Sequence, residues 1–86
     1  MKNMIVIVFN NGCEICDANI QKFESKEEAI NWLEDSLDNW YADCPEYAEK
    51  VIYPVLCQVR AEEWDEELVD GTKIVSIDTS FMDAFN

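Results

Sequence analysis

Apolar residues recur at two periods along the chain, which predicts both strands and a helix. Residues 5–9 are β-branched or aromatic, and Asn10-Asn11-Gly12 follow them. Asn and Gly tolerate positive φ, so this pattern is typical of a strand that ends in a hairpin turn. Residues 13–23 fit a helix or a returning strand with a bulge. The turn before them and the helix start after them favour the strand.

A helix is predicted over residues 25–43. Ser25 and Glu28 have the spacing of a capping box, in which Ser25 accepts from the amide of Glu28 and Glu28 accepts from the amide of Ser25. Cys44-Pro45 ends the helix, because proline disfavours the helical conformation in the residue before it. The apolar positions share a stripe about 120° wide at 3.6 residues per turn. They are Ala29, Ile30, Leu33, Leu37, Trp40 and Tyr41.

The second half of the chain is predicted to return to the sheet. Pro45 begins a short helical turn over residues 45–49, and residues 51–59 alternate as a strand with Pro54 near an edge. Residues 62–70 form an acidic loop or one to two turns of helix, and residues 73–78 form the last strand. The fold class is therefore α+β: residues 1–86 form one small β-β-α-β-β domain. An antiparallel sheet of about four strands packs on one amphipathic helix, residues 25–43.

Composition indicates a folded protein without an export segment. Of the 86 residues 49% are hydrophobic, which is too apolar for a chain that stays disordered. The apolar run near the N-terminus is too short for a signal peptide or a membrane span, so we expect a cytoplasmic protein. Four cysteines in that compartment are expected to be free thiols.

Negative charge is strong and segregated. The formal net charge is −13, and residues 27–49 and 61–72 contain acids but no Lys or Arg. We call Glu27, Glu28, Glu34, Asp35 and Asp38 the helix acids, and Glu62, Glu63, Asp65, Glu66 and Glu67 the loop acids. Trp64 lies within the loop acids, where it would anchor an interface or close the core. Without bases nearby, these carboxylates are expected to lack local partners.

The chain lacks the residues that most enzymatic reactions require. The chain has no histidine, which removes the commonest general base, and only two glycines, which are too few for a phosphate-binding loop. A four-cysteine zinc site needs two close pairs, and only Cys13 and Cys16 form one. We therefore predict a protein with no catalytic residues, metal or cofactor.

One short motif suggests redox chemistry. Cys13-Glu14-Ile15-Cys16 follows the first predicted strand, and residues 4–16 resemble the start of a glutaredoxin or thioredoxin-like domain. The resemblance implies a thiol-disulfide oxidoreductase in which Cys13, at a helix N-terminus, is the nucleophile and Cys16 resolves the mixed disulfide. Pro54 lies where the family's cis-proline would be sought.

The charge pattern favours a different function. An acidic protein is repelled by nucleic acid and by anionic membranes, but it fits a protein with a basic surface. We expect a non-enzymatic, nucleic-acid-mimicking inhibitor from a phage or mobile element, which occupies the basic site of a host or defence protein. The helix acids, the loop acids and Trp64 would contact that partner. Two alternatives stay open, the dithiol oxidoreductase and an accessory domain whose acids serve only solubility.

Overall fold

The computed structural model describes residues 4–10 and 20–79. The α+β class and a sheet of four strands are confirmed, although one of the four strands is not a predicted one. In chain order the elements are β1 (Ile5–Asn10), β2 (Ile20–Phe23), α1 (Lys26–Asp43), α2 (Pro45–Tyr47), a π-helical turn (Ala48–Ile52), α3 (Tyr53–Arg60), β3 (Glu66–Glu67) and β4 (Lys73–Asp78).

The sheet has the order β2-β1-β4-β3. β1 pairs antiparallel with β2, with Ile5 opposite Phe23, and β3 pairs antiparallel with β4. The central pair, β1 and β4, is parallel, with Ile7 opposite Val75. The sheet is therefore mixed, and the prediction of a wholly antiparallel sheet is wrong at its centre. The helices between β2 and β3 carry the chain back, so that β4 enters beside β1 in the same direction.

One face of the sheet packs against α1 and α3. Alternate residues of β1 are buried, namely Ile5, Ile7 and Phe9. Ala29 and Leu33 of α1 meet them, as the stripe predicted, whereas Tyr41 at the edge of the stripe is exposed. Trp32 belongs to the core, because its ring packs 6.3 Å from that of Phe9 and 5.6 Å from that of Phe23, centroid to centroid. The buried residues form one cluster: Ile5, Ile7, Phe9, Phe23, Ala29, Leu33, Val51, Ile52, Val55, Leu56, Val59 and Val75.

The predicted start and end of α1 are confirmed. Ser25 is the N-cap, and its side chain accepts a hydrogen bond of 3.2 Å from the amide of Glu28. The Glu28 carboxylate accepts from the amide of Glu24 at 3.1 Å, one residue before the predicted partner. Cys44 follows the last helical residue, and Pro45 begins the next helix. Two backbone amides at the start of α1 are thus satisfied by side chains.

Residues 51–59 form no strand, which corrects the prediction. They complete the π-helical turn and most of α3. Their buried residues recur at helical spacing, with Val51, Val55 and Val59 on one side. Pro54 has no N–H to donate to a carbonyl four residues earlier, and the helix is widened just before it, where the amide of Tyr53 donates to the carbonyl of Ala48.

The chain between α3 and β4 is a loop that contains the two-residue strand β3. A tight turn follows, in which the amide of Gly71 donates to the carbonyl of Leu68 at 3.0 Å. Gly71 has φ 89°, a conformation that a Cβ atom disfavours. Within residues 4–10 and 20–79, every helix is too short or too polar to cross a lipid bilayer.

Candidate partner-binding surface

All five helix acids are exposed on the outer side of α1. Two of them have partners: Glu34 accepts from the guanidinium of Arg60 at 2.8 Å, and Glu28 caps the helix. The other three, Glu27, Asp35 and Asp38, form no hydrogen bond or ion pair within the described part of the chain. Three of the helix acids are therefore available to another molecule.

The loop acids follow α3 and reach the edge strand β3. Glu62 pairs with Lys26 at 3.2 Å, and Asp65 accepts from the amide of Ser76 at 2.6 Å. Asp65 therefore holds the loop against β4. The remaining three loop acids are exposed and have no ion-pair partner among the described residues: Glu63, Glu66 and Glu67.

The two groups of acids approach each other at the start of α1. The Lys26–Glu62 pair joins the first residue of α1 to the turn after α3. The Arg60–Glu34 pair joins the two helices about two turns further along α1. Both pairs join residues far apart in the chain, so they do not contradict the expectation that these stretches lack local partners. That expectation is wrong for Glu46, which pairs with Lys50 four residues further on. Neither the Lys26–Glu62 pair nor the Arg60–Glu34 pair could be predicted from the sequence, because each base lies far along the chain from its acid.

Trp64 packs against the core rather than standing out among the loop acids. It is half-buried, and Nζ of Lys73 lies 5.3 Å from the centroid of its ring. The ammonium group of Lys73 therefore already occupies one face of the Trp64 indole ring. Trp64 also lines a cavity of about 260 Å³ together with Lys26, Glu62 and Lys73. The cavity is small beside the ~300–1,000 Å³ of common ligand pockets.

A surface that the sequence analysis missed lies between α1 and α3, on their outer side. The two helices run in opposite directions, because Arg60 near the end of α3 meets Glu34 in the first half of α1. Each helix contributes residues one turn apart. We call this surface the outer groove, and it comprises Glu34, Asp38 and Tyr41 of α1 with Tyr53, Cys57 and Arg60 of α3.

The two tyrosines of the outer groove are exposed and close enough to interact electrostatically. Tyr41 is 42% exposed and Tyr53 is 50% exposed. The pKa of Tyr53 is raised, chiefly by a side-chain hydrogen bond with Cys57, with a smaller contribution from Tyr41 and an opposing one from Arg60. The spacing of residues 53, 57 and 60 reveals this row once the segment is known to be helical.

The cysteine predictions are answered only in part. Cys13 and Cys16 lie outside the described residues. Ile20–Phe23, where a helix that begins at the motif would continue, is instead the strand β2. Pro54 lies in the first turn of α3, and the described residues contain no cis peptide bond. Cys44 and Cys57 are free thiols, as expected; Cys44 is half-buried and Cys57 is exposed.

Metal binding finds no support in the described part of the chain, where no group of three His, Cys, Asp or Glu side chains is placed to hold an ion. Comparisons with protein-family models, with curated proteins and with solved structures found no match to this chain. The functional argument therefore depends on the chemistry of the surface.

Proposed function

We propose that this protein is a small non-enzymatic binding protein that occupies the basic site of a nucleic-acid-binding protein. In this proposal it comes from a phage or mobile element and inhibits a host or defence protein. The observation that carries the proposal is the set of exposed carboxylates without partners, on α1 and on the loop after α3. Among the helix acids they are Glu27, Asp35 and Asp38, and among the loop acids they are Glu63, Glu66 and Glu67.

The spacing of the unpaired helix acids supports mimicry of a phosphate backbone. At a rise of 1.5 Å per residue, Glu27 and Asp35 are about 12 Å apart along the axis, and Asp35 and Asp38 about 4.5 Å. One strand of duplex DNA carries a phosphate about every 3.4 Å along its axis. A groove lined with Lys and Arg for several phosphates would therefore meet several carboxylates on one rigid helix.

The net charge favours rapid association with such a partner. A charge of −13 on 86 residues attracts a basic surface from a distance, and salt screens that attraction within about 8 Å at physiological ionic strength. We expect an association rate that falls as salt is added. The same charge repels nucleic acid and anionic membranes, so neither is a proposed partner.

Charge reversal at Asp35 and Asp38 tests the proposal. Both are exposed and unpaired, so Asp35→Lys with Asp38→Lys removes acidic character without breaking a contact. Glu34 is left intact, because a lysine there would face Arg60. The matched control is Asp43→Lys with Glu49→Lys, which changes the net charge equally at exposed positions outside the helix acids.

The assay is capture of partner proteins from a nuclease-treated bacterial lysate at low and high salt, with identification by mass spectrometry. We expect the unaltered protein and the control to retain one nucleic-acid-binding protein at low salt, and the Asp35/Asp38 variant to lose it. Equal retention by both variants would refute a role for the helix acids. If no partner is retained in any form, the acids serve solubility.

A further inference from the structure

We propose that the outer groove binds an arginine side chain of a basic partner, with Tyr41 and Tyr53 as its walls and Asp38 as its carboxylate. This inference rests on the proposed function and names the aromatic anchor within it. Trp64, which the sequence suggested as the anchor, is half-buried and already has Lys73 over its ring. The exposed rings of the described acidic surface are those of the two tyrosines.

The geometry of the helix pair places these groups together. Arg60 meets Glu34 at one end of the groove, and Tyr41 influences the phenol of Tyr53 at the other. Asp38 lies between Glu34 and Tyr41 on α1, and Cys57 lies between Tyr53 and Arg60 on α3. Because the helices are antiparallel, the two middle residues face each other across the groove. Asp38 is thus an unpaired carboxylate between a thiol and two rings.

Charge and shape favour arginine as the occupant. A guanidinium is planar, stacks on aromatic faces and pairs with a carboxylate through two hydrogen bonds, whereas an ammonium is a compact, strongly hydrated charge. At its other end the groove already holds an arginine–carboxylate pair, in which Arg60 donates one hydrogen bond of 2.8 Å to Glu34. An arginine from a partner would pair with Asp38 in the same way and would also stack on Tyr41 and Tyr53.

Alkylation of the Cys57 thiol can report whether the outer groove is occupied. Its thiol is exposed in the middle of the groove, whereas Cys44 is half-buried beyond the end of α1. The probe is a short peptide of alternating Arg and Gly, compared with the same peptide carrying Lys. We expect the Arg peptide to slow alkylation of Cys57 by iodoacetamide and to leave Cys44 unchanged, with each site followed by mass spectrometry of the digested protein.

Ring substitutions test whether the tyrosines bind the cation. Tyr41→Leu with Tyr53→Leu keeps apolar bulk and removes both rings, whereas Tyr41→Phe with Tyr53→Phe keeps the rings. Two exposed cation–π contacts correspond to an affinity change of about 5- to 30-fold. We expect the Leu variant to bind the Arg peptide that much more weakly and the Phe variant to bind it like the unaltered protein, by isothermal titration calorimetry.

A second variant keeps the proposal testable if the Leu variant fails to fold. Asp38→Asn alters only an exposed carboxylate, and Asp43→Asn is its control. We expect weaker binding of the Arg peptide only with Asp38→Asn. Equal binding of the Arg and Lys peptides, unchanged alkylation of Cys57, or full affinity in the Leu variant would overturn the arginine site. The proposed function would still stand if Asp35/Asp38 reversal abolished partner capture.

Discussion

Neutralising one helix acid should make the protein more stable. Asp38 lies four residues after Glu34 and three after Asp35 on the exposed side of α1. Each like-charge contact at that spacing costs about 0.2–0.5 kcal/mol. The contact with Glu34 is partly offset by Arg60, so we expect Asp38→Asn to stabilise the fold by about 0.5 kcal/mol. Asp and Asn have similar helix propensities, so charge is the main change.

The expected shift is measurable in a protein of this size. At about 2.1 cal/mol/K per residue, the unfolding entropy of 86 residues is about 0.18 kcal/mol/K, so 0.5 kcal/mol raises Tm by about 3 °C. Urea and thermal unfolding, followed by tryptophan fluorescence and circular dichroism, give both quantities. The gain should shrink between about 0.01 M and about 1 M salt, because the Debye length falls from about 30 to about 3 Å.

Neutralising an acid that has an ion-pair partner should instead make the protein less stable. Glu46 accepts from Nζ of Lys50 at 2.6 Å, one turn along the helix. Glu46→Gln removes that attraction and should destabilise the protein by about 0.3–0.5 kcal/mol at low salt. If Asp38→Asn is neutral or destabilising at low salt, or if its effect is independent of salt, the repulsion argument is refuted.

Three further changes probe the local structure that holds the acids in place. Ser25→Ala should cost about 1 kcal/mol in urea unfolding, because the amide of Glu28 loses its acceptor. Gly71→Ala should cost about 1 kcal/mol in the same assay, since φ is 89° there; an unchanged midpoint would contradict this. The pKa of Asp70 is lowered, chiefly by the amide of Thr72. The Asp70–Thr72 contact stabilises the fold at pH values above the pKa of Asp70 in the unfolded chain. This stabilisation is lost as pH falls through the pKa of Asp70 in the folded protein. Asp70→Ala should therefore be destabilising near neutral pH and less so in acid. A pH-independent difference would contradict this.

Local sequence signals predicted most elements of the fold. The β-branched run of β1, the Ser25 cap with Pro45 at the other end of α1, and the Gly71 turn before β4 all depend on neighbouring residues. A strand was predicted over residues 51–59 because β-branched valines favour one in isolation, although Pro54 does not. Tertiary packing decides otherwise, since Val51, Val55 and Val59 complete the core as one side of a helix.

The exposure of the acids could be predicted from the sequence, but the ion pairs that some of them form could not. Exposure of the helix acids follows from the apolar stripe on the opposite side of α1. The Arg60–Glu34 and Lys26–Glu62 pairs depend on how α1 and α3 meet, which no local pattern reveals. The outer groove was missed for the same reason, because it exists only when residues 53–60 are helical.

The central claim is that the acids occupy the site of a nucleic acid, and competition tests this most directly. The partner retained at low salt is held with the labelled protein, and duplex DNA or RNA is titrated in while fluorescence anisotropy reports the bound fraction. We predict complete displacement of the protein, with the reciprocal displacement of labelled nucleic acid by the protein. A ternary complex, in which nucleic acid binds and the protein stays bound, would contradict the account.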